Sequence, residues 1–190
     1  VDKLRFDFSQ SHSMTDEQLQ QVEELVNRAI EKNKIVDAKE VPLALAQTIC
    51  GVRAVFGERY PDPVRVVSIG ATVDDLVANP SNEAWQECAV EFCGGTHLVS
   101  CEGAGNFIIL HEQALASGTR RITAITGVPA KAAQDAGHSL LQQIIDAESL
   151  DGQALCDSYD ELSKLVDELT LSQQSKHAAR ASLQKILTRV

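Results

Sequence analysis

The chain has 190 residues, of which 44% are hydrophobic and 23% are charged, proportions that are typical of a globular domain. Its net charge of −10 argues against a broad basic face for nucleic-acid phosphates and leaves only local contacts through a few arginines. No apolar run approaches the roughly 20 residues that span a bilayer, so we expect no membrane contact.

Cysteines are scattered along the chain without the spacing of a disulfide framework, at Cys50, Cys88, Cys93, Cys101 and Cys156. This odd number favours a reducing, intracellular compartment. We therefore predict a cytoplasmic protein and leave a mitochondrial one open. The first residue, Val1, is not a methionine, which indicates a fragment or a processed product.

Strand and helix signals alternate over the first fifty residues. Apolar and polar residues alternate over 4–8, the period of a half-buried strand. A Thr-x-x-Gln capping box opens an amphipathic helix over 15–33. Residues 35–41 follow as a strand or an extended link, and a proline begins a helix over 42–50.

Two prolines at 60–63 mark a turn, because proline fixes φ and forbids helix. The apolar run over 64–70 then predicts the most regular strand of the chain. A short helix over 74–78 follows it. Residues 88–92 predict a strand that leads directly into the sequence Cys-Gly-Gly-Thr-His at 93–97.

The next segment is predicted to contain strands over 107–110 and 121–126. A short helix over 112–116 is predicted between them, before a serine–glycine break. Residues 129–149 read as a longer helix. Together these elements predict an α+β fold with a mixed or antiparallel sheet and packed helices.

The pattern changes after residue 153 to apolar residues at alternating steps of four and three, namely Leu155, Tyr159, Leu162, Val166 and Leu169. Two heptads are too few for a coiled coil, so a helical hairpin packed on the domain stays equally open. A second helix carries Leu183, Ile186, Leu187 and Val190. We place a boundary near 151–152, which gives a domain over 1–150 and a C-terminal helical arm over 151–190.

Cys93 and His97 offer a thiolate and an imidazole four residues apart, with two glycines between them. Such a pair supplies half of a tetrahedral zinc site, and the alternative is a buried cysteine beside an incidental histidine. The other histidines are isolated, and the chain contains neither H-x-x-x-H nor C-x-x-C. Cys101 adds a third ligand only if its segment is helical, whereas residues 100–103 favour a loop.

The string Glu-Phe-Cys-Gly-Gly-Thr-His at 91–97 closely resembles the signature of the editing domain of alanyl-tRNA synthetases. The strings LRFDFS (4–9), GVRAVFG (51–57), YPDPVRVVSIG (60–70) and RRITAITG (120–127) resemble further stretches of that family in the same order, and the second and third are similar to its cytosolic eukaryotic members. The resemblance covers roughly residues 3–150. Residues 151–190 fit the helical region that follows editing in this family.

This resemblance implies a fold of the second-additional-domain type and a zinc-dependent hydrolase that removes serine or glycine from mischarged tRNA(Ala). In the family, two histidines of an upstream H-x-x-x-H bind the metal together with the cysteine and histidine found here as Cys93 and His97. The upstream pair and the ATP-dependent alanine–tRNA ligase domain would lie before Val1. We therefore expect an N-terminally truncated editing domain that holds a zinc half-site and is inactive alone.

Side chains near this motif have predicted roles in the same chemistry. Glu91 lies two residues before Cys93 on one strand face and is a candidate partner of a metal ligand or a general base, unless it is a solvated edge carboxylate. Gly94 and Gly95 are candidates to let backbone N–H groups approach the ester oxygen, unless they serve only a turn. Thr96 is a candidate to position substrate.

Contacts with RNA phosphates are predicted for Arg5, Arg53 and Arg65, each of which is also compatible with a simple surface charge. The predicted partner is the acceptor end of tRNA(Ala), and a homo-oligomer through the helical arm is a further expectation. Two alternatives remain: a self-standing editing protein, and a non-catalytic module for tRNA docking or dimerisation.

Overall fold

The computed structural model describes residues 3–55 and 57–188, so Phe56 and the predicted helical position Val190 lie outside the described residues. The chain forms two compact units, one made of Val1–Asn27 with Gly105–Val190 and the other of Arg28–Ala104. The fold is α+β, with one antiparallel and one mixed sheet, which confirms the predicted class. The domain boundary near 151–152 stays a prediction.

The described strands are β1 (Leu4–Ser9), β2 (Val36–Val41), β3 (Val52–Arg53), β4 (Val64–Ile69), β5 (Ala89–Phe92), β6 (Phe107–Ala116) and β7 (Thr119–Thr126). The described α-helices are α1 (Asp16–Glu31), α2 (Leu43–Ala46), α3 (Val73–Ala78), α4 (Gly127–Ala147), α5 (Gly152–Glu168) and α6 (Gln173–Leu187). Short 3-10 helices lie at Glu83–Glu87 and Cys101–Ala104. In the described part of the chain, no helix has the length and apolar character needed to cross a membrane.

The predicted capping box is present at the start of α1. Thr15 N donates to Gln18 Oε1 at 3.0 Å, and Gln18 N donates to Thr15 Oγ1 at 3.2 Å. Two backbone N–H groups that a helix start leaves without partners are thereby satisfied by neighbouring side chains. The helix therefore begins where the local sequence predicts it.

The antiparallel sheet of the first unit has the strand order β1-β7-β6. Backbone groups on the open edge of β6 form hydrogen bonds with side chains. Phe107 N donates to Asn27 Oδ1 at 2.8 Å, and Asn27 Nδ2 donates to Phe107 O at 2.9 Å. Ile109 N donates to Glu23 Oε2 at 2.7 Å, and Glu112 N donates to a side chain of α6 at 2.8 Å. Three N–H groups of this edge strand, those of Phe107, Ile109 and Glu112, are thus paired within the molecule.

The helix predicted over 112–116 is wrong. Those residues continue β6, which pairs with β7 in a hairpin closed at Gly118, where φ is +72°. A five-residue helix has little stability of its own, whereas β7 supplies cross-strand hydrogen bonds. The guanidinium of Arg120 donates two hydrogen bonds to the carboxylate of Glu112, and both side chains are largely buried.

Helices α4, α5 and α6 share one apolar core in the same unit. Its buried members include Leu140, Ile144, Leu155, Leu162, Val166, Leu171, Ala179, Leu183 and Ile186. The stripe predicted along α5 therefore packs against α4 and α6, in the manner of the helical hairpin. Burial of this stripe removes it from the surface that an oligomer would use.

The mixed sheet of the second unit has the order β2-β4-β5-β3, with β3 and β5 parallel and the other pairs antiparallel. Its core joins Val64, Val66 and Val90 of the sheet to apolar residues of α2 and α3. The central strand β4 is paired on both sides along most of its length. It is consequently a firm support for any side chain that it presents.

Gly137 of α4 is tightly packed against α6. A Cβ atom at this position would lie 2.6 Å from Ser175 Oγ and 3.0 Å from Ser175 Cβ. We expect Gly137→Ala to lower the free energy of unfolding by about 1 kcal/mol, because overpacking costs about 1–3 kcal/mol and the gain in helix propensity is about 1 kcal/mol. Chemical denaturation measures this change.

The exposed neighbour His138→Ala is the matched control and should be near neutral. If the clash with Ser175 is the cause, Ser175→Gly should cost less in the Gly137→Ala background than in the parent protein. Additive effects of the two substitutions would contradict this explanation.

The pKa of the half-buried Glu23 carboxyl is raised above its usual 4.5 by burial, and the hydrogen bond from Ile109 partly opposes the rise. Between 4.5 and the raised pKa, the folded chain binds more protons than the unfolded one. The stability that this group contributes is therefore present below about pH 4.5 and lost as the pH rises.

Glu23→Gln keeps an acceptor for Ile109 N and removes the charge. We expect the variant to gain stability relative to the parent as the pH is raised from about 4 to about 7, measured by denaturant unfolding. The exposed Glu31→Gln, on the same helix, is the matched control for the loss of one carboxylate. A parent protein that gains stability relative to the Glu23→Gln variant with rising pH would refute the interpretation.

Candidate functional site

The Cys93–His97 segment begins where β5 ends. Cys93 N donates to Arg65 O at 3.1 Å, which extends the antiparallel β4–β5 pairing by one residue. Residues 94–99 then form an exposed loop, which rejoins the fold where Val36 N donates to Val99 O at 3.1 Å. We call residues 93–97 the Cys–His loop.

A single side chain of β4 holds this loop. The Nη1 atom of Arg65 donates to Cys93 O at 3.0 Å and to Gly95 O at 2.6 Å. The same nitrogen lies 3.4 Å from His97 Nδ1. One guanidinium therefore contacts three of the five residues of the loop.

The sequence predicts a contact between Arg65 and RNA phosphates, which stays a prediction, and it does not reveal the contacts of Arg65 with the loop. A signal was present, because Arg65 is the one charged residue of a largely apolar strand, VRVVSI. The signal becomes interpretable only when β4 is known to pair with the strand that leads into Cys93.

The loop by itself does not provide a complete zinc site. Cys93 is half-buried and His97 is exposed, and both are ligand types that zinc prefers. Within residues 3–55 and 57–188, however, no three His, Cys, Asp or Glu side chains are grouped so that they could hold a metal ion. Zinc needs at least three protein ligands, so the described residues alone do not form a zinc site.

Glu91 lies on β5 beside Arg53 of β3. The two residues are Cα partners in the parallel pair, and Arg53 Nη1 lies 4.0 Å from Glu91 Oε1. Both side chains are more than half exposed, so this ion pair is weak and easily exchanged for another partner. The structure thus brings together two residues that were predicted separately, as a general base and as an RNA contact.

Gly94, Gly95 and Thr96 are all exposed. Neither glycine has a positive φ, a Cβ at Gly94 would meet nothing within 4 Å, and one at Gly95 would meet only Cys93 Sγ at 3.6 Å. Backbone conformation and packing therefore do not require glycine at either position. What the two glycines provide is a loop surface without side chains.

Arg5 belongs to the other unit, where it is exposed on β1. With Lys3 it lines an open cleft of about 920 Å³ beside the start of α4. The pKa of nearby His111 is lowered by partial burial and by the charges of Lys3 and Lys176. This surface is locally basic in an acidic chain, and the phosphate contact of Arg5 stays a prediction.

Comparison with known proteins finds a family model that matches the part of the chain containing the Cys–His loop. The family model for the threonyl and alanyl tRNA synthetase second additional domain matches residues 64–123, a range that contains β4, β5 and the Cys–His loop. The range also contains Arg65 and Glu91.

Similar full-length proteins are alanine–tRNA ligases. The chain is 42% identical over 186 residues to the mitochondrial alanine–tRNA ligase of Saccharomyces cerevisiae, covering 97% of the chain and 19% of that protein. It is 44% identical over 170 residues to the cytoplasmic enzyme of Dictyostelium discoideum, covering 90% of the chain and 18% of the relative. The chain is 42% identical over 179 residues to the cytoplasmic enzyme of Drosophila melanogaster, which covers 93% of the chain and 18% of that enzyme.

The chain thus spans about a fifth of the length of these curated relatives. It carries the second additional domain of threonyl and alanyl tRNA synthetases, and it belongs to the alanyl-tRNA synthetase family as the counterpart of one segment of those enzymes.

Proposed function

We propose that this chain is the editing segment of an alanine–tRNA ligase, which hydrolyses the ester bond of seryl- or glycyl-tRNA(Ala). The observation that carries the proposal is the exposed Cys–His loop, placed at the end of β5 in a domain of the matching family. Its substrate is the acceptor end of tRNA(Ala). We place the protein in the cytoplasm and keep the mitochondrion open, since relatives of both names are similar.

The limited selectivity of an alanine-binding pocket explains why a ligase for alanine needs such a segment. A pocket that fits alanine cannot exclude the smaller glycine, and it rejects serine only modestly. Discrimination by one small group is worth about 1–3 kcal/mol, so a second, hydrolytic site is needed for accuracy.

The loop has the features that such a site needs. The side-chain-free surface at Gly94 and Gly95 supports close approach of the terminal ribose ester, and Thr96 offers a hydroxyl beside it. Glu91 is exposed and only weakly paired, which leaves it free to accept a proton from water. Zinc, when bound, would polarise the ester carbonyl or activate water.

Cys93 and His97 are proposed as part of the zinc ligand set of the whole ligase, completed by the two further histidines that the family resemblance implies. Because two ligands are too few, we expect the 190-residue chain alone to deacylate seryl-tRNA(Ala) near the background rate.

A second candidate function is a non-catalytic module for tRNA docking or dimerisation. The lack of a third metal ligand among the described residues favours it. The dimerisation form loses support because the apolar stripe of α5 is buried against α4 and α6.

Substitution of Cys93 in the full-length ligase tests the proposal. We expect Cys93→Ala to slow hydrolysis of seryl-tRNA(Ala) by more than about 100-fold, because even partners outside the ligand set change metal affinity or activity by roughly 10–100-fold. Alanylation of tRNA(Ala) should be unchanged, since the ligase chemistry lies elsewhere.

Cys50→Ala is the matched control, a half-buried cysteine of the same unit outside the loop, and should leave both activities intact. Normal hydrolysis by Cys93→Ala, with normal alanylation, would overturn the editing proposal and favour the docking module.

A further inference from the structure

We propose that Arg65 is the positioning residue of the Cys–His loop, which it holds in one arrangement from the rigid strand β4. This inference rests on the proposed function for its purpose, because a positioned loop matters only if the loop acts on a substrate. That Arg65 positions the loop is argued from the contacts of Arg65 alone, whatever the loop does.

Arg65 supplies the hydrogen bonds that anchor a largely exposed segment. Among the hydrogen bonds of the described residues, those of Gly94–Leu98 all go to Arg65, at Gly95 O and His97 Nδ1. The segment is largely exposed and contains two glycines, whose backbone loses the most freedom on ordering. Without the guanidinium, no hydrogen bond in the described chain opposes that freedom between Cys93 and Val99.

The support behind Arg65 is firm. Strand β4 is hydrogen-bonded to β2 on one side and to β5 on the other, and Val64 and Val66, which flank Arg65, are fully buried. A functional loop is best fixed by a side chain that is itself carried on a regular element. Arg65 meets this condition, and the loop it binds does not.

Nη1 of Arg65 carries two N–H groups, and it donates to Cys93 O and to Gly95 O. His97 Nδ1 lies 3.4 Å from the same nitrogen, so the ring of His97 is in contact with the guanidinium at the end of the loop.

Arginine suits this position better than lysine. Its side chain is longer and ends in a planar group of fixed direction, whereas the lysine ammonium is a shorter, freely turning point charge. We expect Arg65→Lys to recover part of the loop order that Arg65→Ala removes.

Nuclear magnetic resonance of the 190-residue chain tests the inference directly. We expect the backbone order parameters of residues 94–97 to be about 0.85 in the parent and below about 0.6 in Arg65→Ala. Arg59→Ala removes the same charge from an exposed site of the same unit and should leave these order parameters unchanged.

The second measurement is made on the full-length ligase. Arg65→Ala should lower kcat for hydrolysis of seryl-tRNA(Ala) by about 100-fold, because a displacement of roughly 1 Å costs about that factor, while KM and alanylation change little. The kcat of Arg65→Lys should lie between that of the parent and that of Arg65→Ala.

The outcomes separate the two proposals. Unchanged order parameters of residues 94–97 in Arg65→Ala would overturn the positioning role, even if the melting temperature falls, because a purely structural residue would give that result. A loosened loop with normal hydrolysis would support the positioning role and overturn the editing function of the loop.

Discussion

The pairing of β5 with β4 places a guanidinium beneath a loop that has little other support. Cys93 N donates to Arg65 O, and the side chain of the same arginine binds two carbonyl groups of the loop. Backbone and side chain of one residue thus hold both the start and the middle of residues 93–97. The chemistry proposed for the loop depends on this support, because exposed glycines do not fix their own positions.

In the other unit, side chains pair with the backbone N–H groups of an edge strand. Strand β6 is an edge strand, and its outward N–H groups meet Asn27 and Glu23 of α1 and a side chain of α6. A bulge between Ile109 and His111 shifts the alternation, which brings Glu112 N outward after Ile109 N. Each unit therefore uses polar side chains on regular elements to complete backbone hydrogen bonding.

Local signals located most of the elements and the loop itself. The capping box of α1, the apolar run of β4 and the strand before Cys93 all lie where the sequence predicts them. The helix predicted over 112–116 failed because its competitor, the hairpin with β7, depends on a bend at Gly118 and on the Glu112–Arg120 pair across it. A window of five residues does not contain that partner.

By itself the sequence determined the α+β class, the approximate elements, and the chemical identity of Cys93 and His97, because period, capping and ligand type are properties of near neighbours. Only the tertiary structure decided which side chains hold the loop and the edge strand in place. Arg65 contacts residues 28 to 32 positions away, and Glu23 binds a backbone group 86 positions away. Strand pairing sets these distances, and a charged residue in a strand carries no local mark of the carbonyl groups it will bind.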